Sequence, residues 1–178
     1  MKIPLVRLAV LLCGLLFASQ IFGATIVAPD AGFYRFGMDV IGGEVVGRPA
    51  SGDLLASDGS PFTFSLTTPG QMIIADLQLS VDQFQVYINS VDFGLTSMPV
   101  AGGSVGLDVA AALADARFSR GVYNLGAGDY MVQVFLFNGD ALPASGAIGV
   151  FTVPEPGTYA LIGAGLGLIL LRRRYARG

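Results

Sequence analysis

Residues 62–95 read FTFSLTTPGQMIIADLQLSVDQFQVYINSVDFGL, and this stretch decides the fold. Apolar and polar side chains alternate along most of it, which is the period of a half-buried β-strand. Breaks rich in turn-forming residues fall at Thr68-Pro69-Gly70, Asp82-Gln83 and Asn89-Ser90. The pattern therefore predicts four consecutive short strands, with a hairpin at Asp82-Gln83.

The second of these strands has two different faces. We expect one face to carry only apolar side chains and the other to carry polar ones. The apolar set is Ile73, Ala75, Leu77, Leu79 and Val81, and the polar set is Asp76, Gln78 and Ser80.

The same alternation returns later in the chain, with one interruption. Asp129–Phe137 places Tyr130, Val132, Val134 and Leu136 on one face, and a last strand carries Ile148, Val150 and Thr152. Leu107–Phe118 has helical spacing instead, and Asp108 is placed to cap it. Gly102-Gly103 and Pro143–Gly146 resemble exposed loops. These features predict an all-β fold: an antiparallel β-sandwich, jelly-roll-like, with eight or so short strands and one short helix.

The first 24 residues have the organisation of a secretory signal peptide. Lys2 and Arg7 precede an apolar segment, Leu8–Phe17, that is too short to span a bilayer. Cys13 is the chain's one cysteine and lies inside this segment, after Leu12 rather than after a small residue. We therefore expect neither lipidation nor a disulfide in the mature protein, and residues 25–152 form its extracytoplasmic domain.

Residues 153–178 have a different organisation. Val153-Pro154-Glu155-Pro156-Gly157 precedes an uncharged run, Thr158–Leu171, and then Arg172-Arg173-Arg174. A helix of that run would cover about 21 Å of a hydrocarbon core about 30 Å thick, which suits a temporary rather than a permanent span. The arginines place the C-terminus in the cytoplasm and the main domain on the opposite side.

The order of these three parts resembles the PEP-CTERM sorting signal of exopolysaccharide-producing Gram-negative bacteria. The resemblance implies recognition by an exosortase, a membrane-embedded enzyme that acts at the motif of residues 153–157. It also implies an exported protein at the cell surface or in the extracellular matrix, held transiently in the inner membrane before processing.

The charge of the central domain excludes one class of partner. Between the two terminal segments there are four arginines and twelve acidic residues, a net charge of −8. The four are Arg35, Arg48, Arg117 and Arg120. Nucleic-acid binding needs clustered positive charge, so we expect no nucleic-acid partner.

The chain contains few of the residue types that enzymes use for catalysis. The chain has no histidine, its one lysine is Lys2, and no G-x-S-x-G motif occurs. Carboxylates remain, notably Asp82, Asp92, Asp108 and Asp115 beside predicted elements. They could contribute to a calcium site, but aspartate at such positions more often caps or closes turns. We expect no enzyme, no catalytic residues and no cofactor. Two carboxylates converging in a deep cleft would revive the third alternative, a glycan-active enzyme.

Aromatic side chains leave two functions open. Most of them fit a sandwich core, but Tyr34, Tyr87, Tyr123, Tyr130, Phe135 and Phe137 could also form a platform for sugar rings. The favoured hypothesis is a structural or adhesive protein of a biofilm or exopolysaccharide matrix. The alternative is a carbohydrate-binding module that contacts exopolysaccharide, for which an exposed aromatic strip on one sheet is the expected sign.

Overall fold

A computed structural model of the chain describes residues 23–139 and 142–153. Most of the predicted signal peptide and the predicted membrane segment at 158–171 lie outside these residues. Within them, no helix combines the length and apolar character needed to cross a bilayer.

The described residues form eleven strands and one short helix. In chain order the elements are β1 (Thr25–Ile26), β2 (Phe33–Met38), β3 (Val46–Gly47), β4 (Phe62–Leu66), β5 (Gly70–Leu79), β6 (Gln83–Ile88), β7 (Val91–Leu95), β8 (Ser104–Gly106), α1 (Val109–Ala114), β9 (Arg120–Leu125), β10 (Gly128–Asn138) and β11 (Ala144–Thr152). The strands predicted by residue number and the helix are all present, although the helix is shorter than the predicted 107–118. β1, β2, β3, β8 and β9 are strands that the sequence pattern did not locate.

Two sheets pack face to face. The front sheet has the order β1-β4-β10-β6-β7, and the back sheet has the order β3-β2-β11-β5, with β8 and β9 both paired to β5. The antiparallel pairs β2–β11, β4–β10, β5–β9 and β6–β7 nest one inside the next along the chain. This is a long hairpin rolled into a sandwich, the arrangement that defines a jelly roll.

Alternating side chains from both sheets fill the core. Phe36 contributes from the back sheet and packs its ring against Phe62 and Phe84 of the front sheet, at centroid distances of 5.9 and 5.7 Å. The predicted inward faces of β4, β6 and β10 are confirmed, because their apolar residues all belong to this core. They are Phe62, Phe64, Leu66, Phe84, Val86, Ile88, Val132, Val134 and Leu136, with Tyr130 packed against them.

A second apolar cluster covers the outer side of the back sheet. Leu77 and Ala147 belong to this cluster, together with Leu54, Ala112 of α1 and Phe118. The helix therefore covers part of the outer surface of the back sheet. Among the described residues, no comparable cluster of buried residues covers the outer side of the front sheet.

Two details of the predicted pattern are corrected. On β5, Met72 and Ile74 belong to the sandwich core, whereas Leu77 packs in the outer cluster. Asp76, which belongs to the predicted polar face, is fully buried. The predicted loop at 143–146 is wrong from Ala144 onward, because Ala144, Ser145 and Gly146 begin β11 and are buried. Small side chains are required there: a Cβ on Gly146 would overlap the ring of Phe36.

Candidate functional site

Three aromatic rings and two amides share the outer side of the front sheet. On β6 and β10 the residues that alternate with the buried core include Gln85, Tyr87, Gln133, Phe135 and Phe137. We call this set the aromatic face. It results from strand period alone, since side chains that follow inward residues point to the opposite side of the sheet.

Strand register sets the spacing of the aromatic face. Gln133 lies opposite Tyr87, and Phe135 lies opposite Gln85. The rings of Tyr87 and Phe135 are therefore diagonal neighbours, and they meet edge to face at 5.7 Å with an interplanar angle of 85°. The register of β10 against β6 shifts between Leu136 and Asn138, and Phe137 at this irregularity is 54% exposed.

A shallow depression of about 390 Å³ runs between these side chains and Gly42. Polar groups border it. Gln85 Nε2 donates to Asp92 Oδ1, which also accepts from Gly94 N at 2.7 Å. Gln133 Nε2 donates to Glu44 Oε1 at 3.3 Å. These bonds hold both amides in place beside the rings, and a glutamine amide can form further hydrogen bonds with a ligand.

The other aromatic residues considered for a platform have structural roles. Tyr34, Tyr123 and Tyr130 are partly buried against the core. Tyr130 stacks on Phe64 with ring centroids 5.3 Å apart and donates to Gly126 O at 3.0 Å. Burial raises the pKa of Tyr123 to about 12. The sequence pattern could not separate these tyrosines from Tyr87, because only packing shows which of them the second sheet covers.

One pair of carboxyl groups converges, but not in a cleft. Asp76 is fully buried, Asp82 is 2% exposed, and Asp82 N donates to Asp76 Oδ2 at 3.3 Å. Burial, with the nearby Asp82 carboxylate, raises the pKa of Asp76 to about 9. Neither residue lines the depression of the aromatic face. Because both carboxyl groups are buried, a substrate cannot reach them. We interpret the pair as two carboxyl groups that share a proton.

The remaining candidate aspartates close turns and cap the helix. Asp108 Oδ1 accepts from Ala111 N at 2.9 Å at the start of α1. Asp115 pairs with Arg117 at 2.6 Å, and this bonding lowers the pKa of Asp115. Within the described residues, no group of three or more acidic, cysteine or histidine side chains could hold a metal ion.

A second cavity, about 640 Å³, lies on the back sheet between α1 and the loop around Leu54. Its lining is mainly apolar and includes two carboxylates, Asp53 and Asp108. The Asp108 carboxylate is already engaged by the helix cap. We therefore regard the aromatic face as the better candidate for recognition.

Of the predicted sorting residues, the structure describes Val153. It follows β11, is 43% exposed, and donates its backbone N–H to Pro69 O at 2.9 Å. The other predicted residues lie outside the described part of the chain. They are Pro154, Glu155, Pro156, Gly157, Arg172, Arg173 and Arg174.

Comparison with known proteins identifies the C-terminal segment. Residues 152–174 match the model of the PEP-CTERM protein-sorting motif, which confirms the resemblance seen in the sequence. The chain is therefore an exported, cell-surface-directed protein that an exosortase processes. Among solved structures, the pre-peptidase C-terminal domain of a collagenase from Bacillus anthracis is similar, with 12% identity and a TM-score of 0.37. That alignment covers 72% of this chain and 94% of the other. No curated protein matches the chain.

Proposed function

We propose that the β-sandwich is an adhesive module of the cell surface or extracellular matrix, and that it holds neutral polysaccharide on its aromatic face. The observation that carries this proposal is the group of half-buried Tyr87 and Phe135 and exposed Phe137, flanked by oriented glutamine amides. An adhesive or structural role agrees with an exported, exosortase-processed chain.

The chemistry of the face suits a sugar polymer. One side of a pyranose ring is apolar and can lie on an aromatic ring, while its hydroxyl groups seek hydrogen-bond partners at the edge. Gln85 and Gln133 supply such partners next to Tyr87. Because the depression lies on an open sheet, it fits a passing chain better than an enclosed small molecule.

Charge narrows the class of ligand. The domain has a net charge of −8, counted from four arginines and twelve acidic residues. Asp92 and Glu44 stand at the border of the aromatic face itself. A polyanionic polysaccharide would be repelled, so the proposed ligand is uncharged. We expect binding without hydrolysis and without a cofactor.

Affinity electrophoresis in gels that contain exopolysaccharide from the host tests the proposal. We expect the wild-type protein to be retarded, and Tyr87→Ala and Phe137→Ala to lose about tenfold or more in affinity, the equivalent of about 1.4 kcal/mol. Phe93→Ala is the matched control, because Phe93 is 49% exposed but lies on β7 away from the lining of the depression.

Each outcome has a clear meaning. Equal retardation of all variants would show that sugar binding, if present, occurs elsewhere. Free migration of the wild-type protein through every neutral glycan would leave a purely structural role. Repeating the experiment with a chelator tests the expectation that no calcium ion is needed.

A further inference from the structure

The fold and the sorting motif meet without a spacer. The matched motif begins at residue 152, and Thr152 is also the last residue of β11. The Asp30 carboxylate accepts two hydrogen bonds from Thr152. Thr152 N donates to Oδ1 at 2.9 Å, and Thr152 Oγ1 donates to Oδ2 at 2.8 Å. Val153 N then donates to Pro69 O at 2.9 Å. The first two residues of the motif are therefore still bonded into the domain.

Three loops surround this point. Thr152 pairs with Gly70, Gly70 pairs with Leu125, and Gly128 pairs with Leu66. The segments 28–32, 67–69 and 126–127 thus lie at the same end of the sandwich, which we call the exit end. They contain only alanine, proline, glycine and threonine, apart from Asp30. Such small side chains allow another surface to approach closely.

The remaining chain is short. Four residues, Pro154–Gly157, separate Val153 from the predicted apolar run, and they reach at most about 14 Å when fully extended. The headgroup layer on one side of a bilayer takes about 6 Å of this distance. The remaining gap of about 8 Å is narrower than one helix, whose diameter is about 10–12 Å. A peptidase has no room to insert an element between a folded domain and the membrane.

We propose that the exit end forms part of the surface that the processing enzyme contacts, so that a membrane-embedded peptidase acts on the motif while touching the folded domain. This inference rests on the sorting role, because it presumes cleavage near the motif. It assigns to the loops 28–32, 67–69 and 126–127 a contact with the processing enzyme, which is separate from the proposed sugar binding on the aromatic face.

The test adds bulk to the exit end of the full-length chain in its native host. Ala127 is exposed, and Ala127→Arg enlarges the exit end directly. Ala101→Arg is the matched control. Ala101 is also exposed, but it lies two residues before Gly103, whose N–H donates to Ser80 Oγ at 2.7 Å beyond the other end of β5. The ten residues of β5 place its two ends about 30 Å apart.

The measurements are the rate at which the protein leaves the membrane fraction and the mass of its C-terminal peptide. We expect Ala127→Arg to slow processing about fivefold or more, as for a disturbed contact worth about 1 kcal/mol, and Ala101→Arg to match the wild type. Inserting a flexible ten-residue Gly/Ser spacer between Val153 and Pro154 should restore the rate of the Ala127→Arg chain.

Normal processing of Ala127→Arg would overturn the proposal, as would slow processing that the spacer does not relieve. Both variants should melt at the wild-type temperature and bind sugar as the wild type does, which separates this test from that of the aromatic face. A wild-type chain that is never cut would remove the processing role itself.

Discussion

Asp76 is a carboxyl group in an environment that disfavours its charged form. It has no exposed surface, and the Asp82 carboxylate lies beside it. A lone charge in such a position would be costly, so the Asp76 carboxyl holds its proton to a pH of about 9. The folded state binds this proton more tightly than the unfolded chain, in which an aspartate releases it near pH 4.

This difference predicts a pH-dependent stability. The contribution of Asp76 is fully present below about pH 4, and it is lost progressively as the pH rises toward about 9, with a slope of up to about 1.4 kcal/mol per pH unit. Asp76→Asn mimics the protonated acid, so it should flatten the curve and stabilise the domain at pH 8. Chemical denaturation at several pH values measures both effects.

Asp53→Asn serves as the control for this experiment, because Asp53 is exposed and should leave the pH dependence unchanged. A wild-type unfolding free energy that stays constant between pH 5 and pH 9 would contradict the assigned protonation of Asp76.

At the scale of elements, the hairpin between β6 and β7 shows how local geometry is chosen. Asn89 and Ser90 form its two-residue turn, and both have positive φ, 50° and 64°. This is the pattern of a type I′ turn, which matches the twist of the strands and favours Asn followed by Gly. The Asn89 side chain also accepts a hydrogen bond from Met131 N at 2.8 Å. Ser90 adopts the same unfavourable positive φ without such a bond to another described residue.

Ser90→Gly should therefore stabilise the domain by about 0.5–1 kcal/mol, because glycine adopts positive φ without steric cost. Asn89→Gly is the informative comparison: it gains the same freedom but loses the bond to Met131, so we expect no net gain. Thermal unfolding of both variants decides the matter, and a destabilised Ser90→Gly protein would show that the serine side chain has a role of its own.

At the scale of the whole molecule, the order of the chain constrains when the domain can fold. β11 is the last strand in sequence, yet it lies between β2 and β5 in the back sheet. It contributes Ile148 and Val150 to the core, and residues 144–150 are buried. The back sheet therefore cannot close until the chain up to Thr152 is available, and the matched sorting motif begins at this same residue.

A domain ending after Val153 should fold cooperatively, whereas one ending after Leu142 should not, because it loses both strand pairings of β11 and its core side chains. Circular dichroism and thermal melting of the two proteins, each beginning at Ala24, provide the measurement. Cooperative melting of the shorter protein at the temperature of the longer one would refute the central role of β11.

The sequence alone was enough for much of this molecule. Alternation in Phe62–Leu66 and Phe84–Ile88 predicted strands and their inward faces, because strand period is a local property. Asp108 likewise predicted the start of the helix, because an N-cap side chain bonds to a backbone N–H within the first turn. The sorting motif at Val153–Gly157 indicated export and processing by an exosortase, because its residues are consecutive in the sequence.

Tertiary structure alone decided which surfaces remain available. Period two gives β5 two faces, but only the packing of the second sheet and of α1 determines that both are covered and that Asp76 is buried. Tyr87 and Tyr130 look alike in sequence, yet one stands on the aromatic face and the other stacks on Phe64. Long-range contacts make these choices, and alternation along a strand carries no information about what lies on either side of it.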